Sequence, residues 1–482
     1  MKPICFLFVL ILFIACTERS PIPNYGKLIT KKDDGTISEK IYNLFDDDLP
    51  INFPGKSSAD IVFYTDSPGT TLGDTSAASK LLGNLREYAK QQGRSVDYSW
   101  IIRSEDFNFN AYGLIPPNVP TLIINDWQAI RLPKVVDAIS KAKIFISFPT
   151  FHYLEPSDVN FLDSFDAKYV RCTEYDFKES EKDKIVRPDL TLFETGLRDG
   201  RLGIFLERPQ FMGLSNTNSI SDSDSSLRSM LDKLNWSKKN LFFGYFNRET
   251  HNEQEGSWSN LVNYAALSSL IAIFDAAQNG HKLEVNIVIP ASESQFGEIK
   301  DVLSELTYNP MALSSHIKPI LDKLNIEYHK LSKHENHNAI KETDDPTIRI
   351  INPFPLAKES MLSLMQMSHV FSGLTGDQSF SEGLQYGKIP FYQIMHWKTD
   401  LHKYFSQYLH KNLGESSDLA NFVSDFASHG PIIGEFLVDQ AYEIYLNQDH
   451  WAQQMQKISL KMHEEKNLQK ELAPKIYEDL NF

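Results

Sequence analysis

Short apolar runs alternate with helically spaced apolar positions along most of this chain. From Asp60 onward, Ile61–Thr65, Val96–Arg103, Thr121–Asn125, Lys143–Phe148 and Lys168–Thr173 are rich in β-branched and aromatic residues, the mark of strands. Between the first two, Ala77, Ala78, Leu81, Leu82, Leu85 and Ala89 recur at helical spacing. The alternation restarts at Leu241–Phe246 and continues through Leu283–Ile289, Ile326–Lys330, Thr347–Asn352, His369–Ser372 and Ile389–Ile394. Leu261 to Gln278 is almost wholly apolar or small, the composition of a buried helix. Strands alternating with helices predict parallel sheets covered by helices. Two such series predict an α/β protein of two tandem doubly wound, Rossmann-like domains. Ligands of such sheets bind at the carboxyl ends of the strands, so a cleft between two facing domains is expected.

Breaks in the pattern suggest the boundaries. Residues 17–58, with Lys31-Lys-Asp-Asp-Gly35 and Asp46-Asp-Asp48, read as a tether and irregular lead-in. An N-terminal α/β domain is expected over 59–235 and a second over 236–400, with a helical C-terminal segment over 401–482 that lacks β runs. The polar stretch Ser215-Asn-Thr-Asn-Ser-Ile-Ser-Asp-Ser-Asp-Ser-Ser226 reads as a mobile loop near the boundary. At the N-terminus, Lys2 precedes an apolar run from Ile4 to Ala15, short for a membrane span and suited to a signal-peptide core. Its end, Phe13-Ile-Ala-Cys16, resembles a bacterial lipoprotein box. Residues 1–16 then read as a signal peptide ending in a lipobox, cleaved before Cys16, which is acylated as the first mature residue; an uncleaved signal anchor is the alternative. The chain is expected in the cell envelope, held to the membrane by a lipid anchor or exported.

Composition narrows the partners. With 482 residues, 41% hydrophobic and 23% charged, the chain is an ordinary globular protein of more than one domain. Its net charge of −15 and lack of a long basic run argue against a nucleic-acid partner. Cys172 would be the one cysteine left in the folded part, reading as a small buried hydrophobe.

Candidate chemistry gathers at strand ends. Ser372-Gly-Leu-Thr-Gly-Asp-Gln-Ser-Phe-Ser-Glu-Gly-Leu-Gln-Tyr-Gly-Lys-Ile-Pro390 reads as strand, glycine turn, short helix and strand. Ser379-x-x-Glu382 is a capping-box pattern, and Gly387 suits the left-handed residue that closes a helix. The helix N-terminus would offer free N–H groups to an anion such as a nucleoside diphosphate, or be an ordinary connection. In the first domain, Asp66-Ser-Pro-Gly-Thr-Thr-Leu-Gly-Asp74-Thr lies between strand and helix. Asp66 or Asp74 could serve as a general base; alternatively Asp74 or Thr75 is a helix N-cap. In the second domain, Gly244-Tyr-Phe-Asn247 offers Tyr245 or Phe246 for stacking, with Phe246 more readily a core residue, and offers Asn247 as a polar contact. Pro290-Ala-Ser-Glu-Ser-Gln295 is another strand-end loop, and Pro353-Phe354-Pro355 could pack against a base. His396 and His402 match no zinc spacing, so no metal or cofactor is expected.

Ser372-Gly373, Ser379-x-Ser-Glu382 and Gly387-x-x-Pro390 resemble the nucleotide-sugar motif of GT-B glycosyltransferases, notably the lipid-linked peptidoglycan GlcNAc transferases. The resemblance implies that Glu382 holds the donor ribose and that N–H groups near Asp377–Ser379 hold its diphosphate. A looser similarity, touching about half the chain, is to protein-arginine rhamnosyltransferases. There Asp66…Gly73-Asp74 and Gly376-Asp377-Gln378-Ser379 match an Asp-x-x-Gly-Asp-type loop and a Gly-Glu-Asp-Ser motif. The chain departs from that family at Thr375, Asp377 and Gln378, which stand for Arg, Glu and Asp. Fold and donor geometry carry over, while rhamnose and arginine do not. The resemblance implies metal-independent transfer of a hexosyl or deoxyhexosyl group from a nucleotide-sugar donor to an acceptor that is a protein, glycan or lipid. Tyr245, Asn247, Phe354, Gly376, Asp377, Gln378, Ser379 and Glu382 would contact the donor, with Asp74 or Asp66 as catalytic base. Two rivals stand beside it: a lipid-anchored two-lobed solute- or sugar-binding protein, and a sugar-nucleotide epimerase of the same fold. Nucleotide sugars are not expected outside the cytoplasm, so the anchor and the donor pull in different directions.

Overall fold

The computed structural model describes residues 25–44, 59–67, 73–104, 113–125, 127–150, 166–176, 191–211, 217–234, 236–246, 260–308, 317–331, 344–393, 399–429 and 435–479. The chain divides into two compact units, one of residues 1–202 with 468–482 and one of residues 203–467.

The first unit is built on an eight-stranded sheet. Its strands are β1 (Tyr25–Lys31), β2 (Ile37–Asn43), β3 (Ile61–Asp66), β4 (Tyr98–Arg103), β5 (Thr121–Ile124), β6 (Ile144–Thr150), β7 (Lys168–Thr173) and β8 (Thr191–Phe193). The order is β2-β1-β5-β4-β3-β6-β7-β8. β3 to β8 run parallel, and β3, at the centre, is apolar on both faces as a covered parallel strand must be. Helices α1 (Gly73–Gln91) and α2 (Pro133–Ser140) follow β3 and β5. The predicted face of α1 is the one it buries, with Ala78, Leu81, Leu82, Leu85 and Ala89 all inside.

The lead-in expected over 17–58 is replaced, at 25–43, by two strands. β1 pairs antiparallel with both β5 and β2. β2 is exposed over its first five residues and carries Glu39 and Lys40, so it has no apolar alternation to read; it is an edge strand guarded by charge. β1 has only Leu28 and Ile29 as a short apolar signal, and becomes a strand through its pairing with β5.

The second unit contains α3 (Ser225–Lys233), β9 (Leu241–Phe243), α4 (Asn260–Asn279), β10 (Glu284–Val288), α5 (Glu293–Tyr308), α6 (Lys318–Leu321), β11 (Asn325–Lys330) and β12 (Thr347–Asn352). It continues with α7 (Lys358–Met367), β13 (Phe371–Thr375), α8 (Gly376–Gln385), β14 (Ile389–Gln393), α9 (Thr399–Leu413), α10 (Asp418–His429) and α11 (Glu435–Glu465). The strands pair in parallel as β11-β12-β10-β9 and as β13-β14. The two groups meet at Gly244 and Gly373, where Tyr245 N–H donates to Gly373 O at 2.9 Å and His369 N–H to Leu241 O at 2.7 Å. The result is six parallel strands in the order β11-β12-β10-β9-β13-β14. α4 is long and apolar enough to cross a membrane, but it is buried continuously from Leu261 to Ala276 inside this unit.

The boundary falls earlier than 235. Residues 203–234 belong to the second unit because their polar groups find partners there. Ile204 pairs with Asn467, and Gln210 N–H donates to Gln385 O at 2.9 Å. The described part of the expected loop, from Thr217, is anchored in the same way. Ser360 Oγ accepts Ser221 N–H at 3.0 Å, Ser363 Oγ donates to Ser219 O at 2.8 Å, and buried Asp224 accepts Ala357 N–H at 3.0 Å. The final helix α12 (Leu468–Asp479) returns to the first unit and packs on α1.

Candidate functional site

The chain order of the second sheet reverses at β9. β10 lies on one side of it, and the connection from β12 crosses to β13 on the other. In doubly wound sheets the crevice at such a reversal, at the carboxyl ends of the strands, is where ligands bind. Here it lies between the residues that follow β9 and those that follow β13.

Two glycines bring these strands together. A Cβ on Gly373 would stand 2.3 Å from Phe246 Cζ and 3.0 Å from Gly244 Cα, and one on Gly244 would meet Phe246 and Tyr264. Phe246 is fully packed against Tyr264 and Phe391, a core residue as its sequence context suggested. After β13 the chain turns at Gly376, whose φ of +74° suits glycine and whose Cβ direction is open space.

That turn changes how α8 begins. The capping box expected at Ser379 and Glu382 is not formed, because the left-handed Gly376 starts the helix three residues earlier. Ser379 lies inside the helix, where its hydroxyl accepts Thr375 N–H at 3.1 Å and donates to Thr375 O. The first-turn N–H groups of α8, those of Gly376, Asp377 and Gln378, have no acceptor within the helix. At the other end Gly387 has φ +65°; Gly387 N–H bonds Leu384 O and Lys388 N–H bonds Gly383 O, both at 3.0 Å, which closes the helix as expected.

Glu382, freed from capping, is buried, and a buried carboxylate requires partners. Its Oε1 accepts from Lys358 Nζ and from Gln378 Nε2, each at 2.5 Å. Gln378 Oε1 is buried with no hydrogen-bond partner among the described residues. Burial, and after it the charge of nearby Glu382, raises the Tyr245 hydroxyl pKa above the usual value. Tyr245 also stacks on Phe354, with ring centroids 6.0 Å apart and planes at 28°, and Phe354 continues onto Phe243. Both Tyr245 and Phe354 remain partly exposed. The ends of β9, β12 and β13 therefore supply two aromatic rings, a buried carboxylate with its cation, and a helix N-terminus.

Tyr245, Phe354, Gly376, Asp377, Gln378 and Glu382 thus stand at the strand ends of one sheet, and Ser379 is turned inward. Asn247, His396 and Cys16 lie outside the described residues. The Pro290–Gln295 loop is a helix cap: Ser292 N–H donates to Gln295 Oε1 at 2.9 Å and Gln295 N–H to Ser292 Oγ at 3.2 Å. Asp66 ends β3 in the first unit, buried, with its Oδ1 taken by Arg103 Nη1 at 2.8 Å. Asp74 and Thr75 are not N-caps; α1 starts at Gly73 and both lie in its first turn, Asp74 half-buried. Cys172 is free and fully buried, and burial pushes its thiol pKa up. Among the described residues no group of three or more His, Cys, Asp or Glu is placed to hold a metal ion. Sequence reading missed Lys358. Its signal was a cation in the first turn of a helix, the end where the helix dipole disfavours positive charge.

No family model matches the chain, and no curated protein does. Among solved structures it is similar to HepE from Anabaena in complex with UDP-glucose, at a TM-score of 0.40 and 11% identity, covering 87% of this chain and 99% of that one. A glycosyl transferase family 9 protein from Veillonella parvula gives 0.34 and 11%, covering 81% and 99%. The UDP-GlcNAc 2-epimerase from Methanocaldococcus jannaschii gives 0.35 and 10%, covering 81% and 99%.

Proposed function

We propose that this protein is a glycosyltransferase that uses a nucleotide-sugar donor, bound at the strand ends of the second unit. The observation that carries the reading is the meeting of buried Glu382, the Tyr245–Phe354 pair and the N-terminus of α8 at one chain reversal. Each part suits one portion of such a donor. The aromatic faces suit a nucleobase, a carboxylate accepts hydrogen bonds from ribose hydroxyls, and helix N–H groups suit a diphosphate.

In the reaction a nucleophilic atom of the acceptor bonds to the anomeric carbon as the bond from that carbon to the diphosphate oxygen breaks. The helix terminus meets the negative charge that develops on the leaving diphosphate, which is where preorganised donors are most effective. A carboxylate takes the acceptor's proton as the new bond forms. The candidates are Asp74 and Asp66, the latter held by Arg103. The membrane anchor at Cys16 belongs to the same proposal and leaves the acceptor open among protein, glycan and lipid.

Calorimetry with nucleoside diphosphates tests the donor site. Glu382→Ala weakens binding at least about tenfold, or 1.4 kcal/mol, and Glu382→Gln keeps the shape should the alanine variant unfold. Binding unchanged in both removes Glu382 from the site. Asp74→Asn keeps donor affinity and abolishes turnover; a fully active variant would leave Asp74 a helix-terminal residue only. An epimerase would turn over donor with no acceptor present, and a binding protein would turn over none.

A further inference from the structure

Lys358 sits where its own helix disfavours it. It opens α7, next to the positive end of the helix dipole. Its backbone is fixed there, because the preceding residue, Ala357, donates its N–H to buried Asp224 at 3.0 Å. The ammonium is held by Glu382 at 2.5 Å, and the two partners are unequally placed: the Lys358 side chain is 34% exposed and that of Glu382 4%. The lysine is therefore the solvent side of the pair and the carboxylate its inner side. Gln378 Nε2 donates to the same carboxylate oxygen, so Glu382 keeps a donor when the lysine leaves.

We propose that Lys358 is a specificity-determining residue of this site: it rests on Glu382 while the site is empty and moves to the diphosphate of an incoming nucleotide, releasing Glu382 to the ribose. This rests on the donor-site reading given above. A lysine ammonium is a point charge on a flexible four-carbon stem, able to exchange one oxyanion for another from a fixed backbone. A neutral nucleoside brings no anion, so its hydroxyls compete with the ion pair for Glu382. A nucleoside diphosphate offers the ammonium a second partner and removes that competition. One side chain thus couples the recognition of ribose and of diphosphate, and the site selects ligands that carry both.

The full chain is titrated by calorimetry with UDP, GDP, ADP and CDP, and then with the nucleoside of the tightest binder. Lys358→Gln is expected to lower the ratio of diphosphate to nucleoside affinity about tenfold, while Lys358→Arg stays within about threefold. Diphosphate binding by the unaltered chain weakens with added salt, and nucleoside binding does not. This salt comparison holds whether or not a variant folds. A ratio unchanged in Lys358→Gln, equal loss of both ligands, or equal salt dependence overturns the role of Lys358 and leaves the donor site standing. Failure of the unaltered chain to bind any of the four diphosphates overturns the donor site and this inference together.

Discussion

His369 and His402 are buried imidazoles placed where protonation is unwelcome. His369 Nδ1 accepts Phe371 N–H at 3.1 Å, so its proton sits on Nε2 and is donated to Gln448 Oε1 at 2.5 Å. His402 lies flat against Tyr392, with planes at 12°, and its Nδ1 is buried with no hydrogen-bond partner among the described residues. Burial, the largest cause in each, pulls both down to about 4. Between that value and the free imidazole near 6.5 the unfolded chain binds more protons than the folded one. Stability therefore falls as pH drops through that window and levels off below about 4, each histidine accounting for on the order of 3 kcal/mol. In His402→Phe, denaturant unfolding at steps from pH 7 to pH 4 should show a shallower loss than in the unaltered chain. Identical slopes would mean that His402 does not report this burial. Sequence spacing excluded a zinc pattern for His402, but burial is a tertiary property and gave no local signal.

At the scale of elements, the seam between β9 and β13 decides whether the candidate site exists. The two strands are far apart in sequence and meet through Gly244 and Gly373. Tyr264, on α4, donates its hydroxyl to Phe243 O at 2.8 Å and lies 3.2 Å from Phe371 O, spanning both strands. Gly373→Ala would drive a methyl into Phe246 and the Gly244 backbone. It is expected to cost about 1–3 kcal/mol by denaturant unfolding and to weaken diphosphate binding, because Tyr245 and α8 separate. Unchanged stability would show that the seam has room to yield. The start of α8 belongs to the same scale. Ser379 and Glu382 satisfied the capping-box spacing, yet Gly376 offered a left-handed turn three residues earlier, and the helix took it.

For the molecule as a whole, the last helix determines how the chain is partitioned. α12 buries Leu468, Leu472, Ala473 and Ile476 in the first unit. Its Tyr477 bonds the Tyr98 hydroxyl and packs against Tyr88, with ring centroids 5.5 Å apart and planes tilted at 37°. Burying side chains of this size contributes roughly 5–10 kcal/mol, comparable to the whole stability of a domain. A chain ending at Asn467 should accordingly lose protease protection across residues 25–202 while 203–467 stays protected. Equal protection of both units would show α12 to be dispensable.

Local periodicity was enough to find the interior parallel strands, the buried helix α4 and the helical C-terminus, because an apolar run bounded by turn residues carries its own signal. Strand-end glycines and aromatics pointed to Tyr245, Phe354 and the Gly376–Glu382 segment for the same reason. Sequence alone left β1 and β2 unread, since their strand character comes from pairing with β5 and their charged faces hide it. It misplaced the boundary at 235, because the anchors of residues 203–234 are hydrogen bonds to partners more than a hundred residues away. It also could not pair Lys358 with Glu382, which are 24 positions apart and brought together only when β12 and β13 are placed in one sheet. Local pattern determined which elements this chain forms; long-range pairing decided which of their residues meet, and so where the site is.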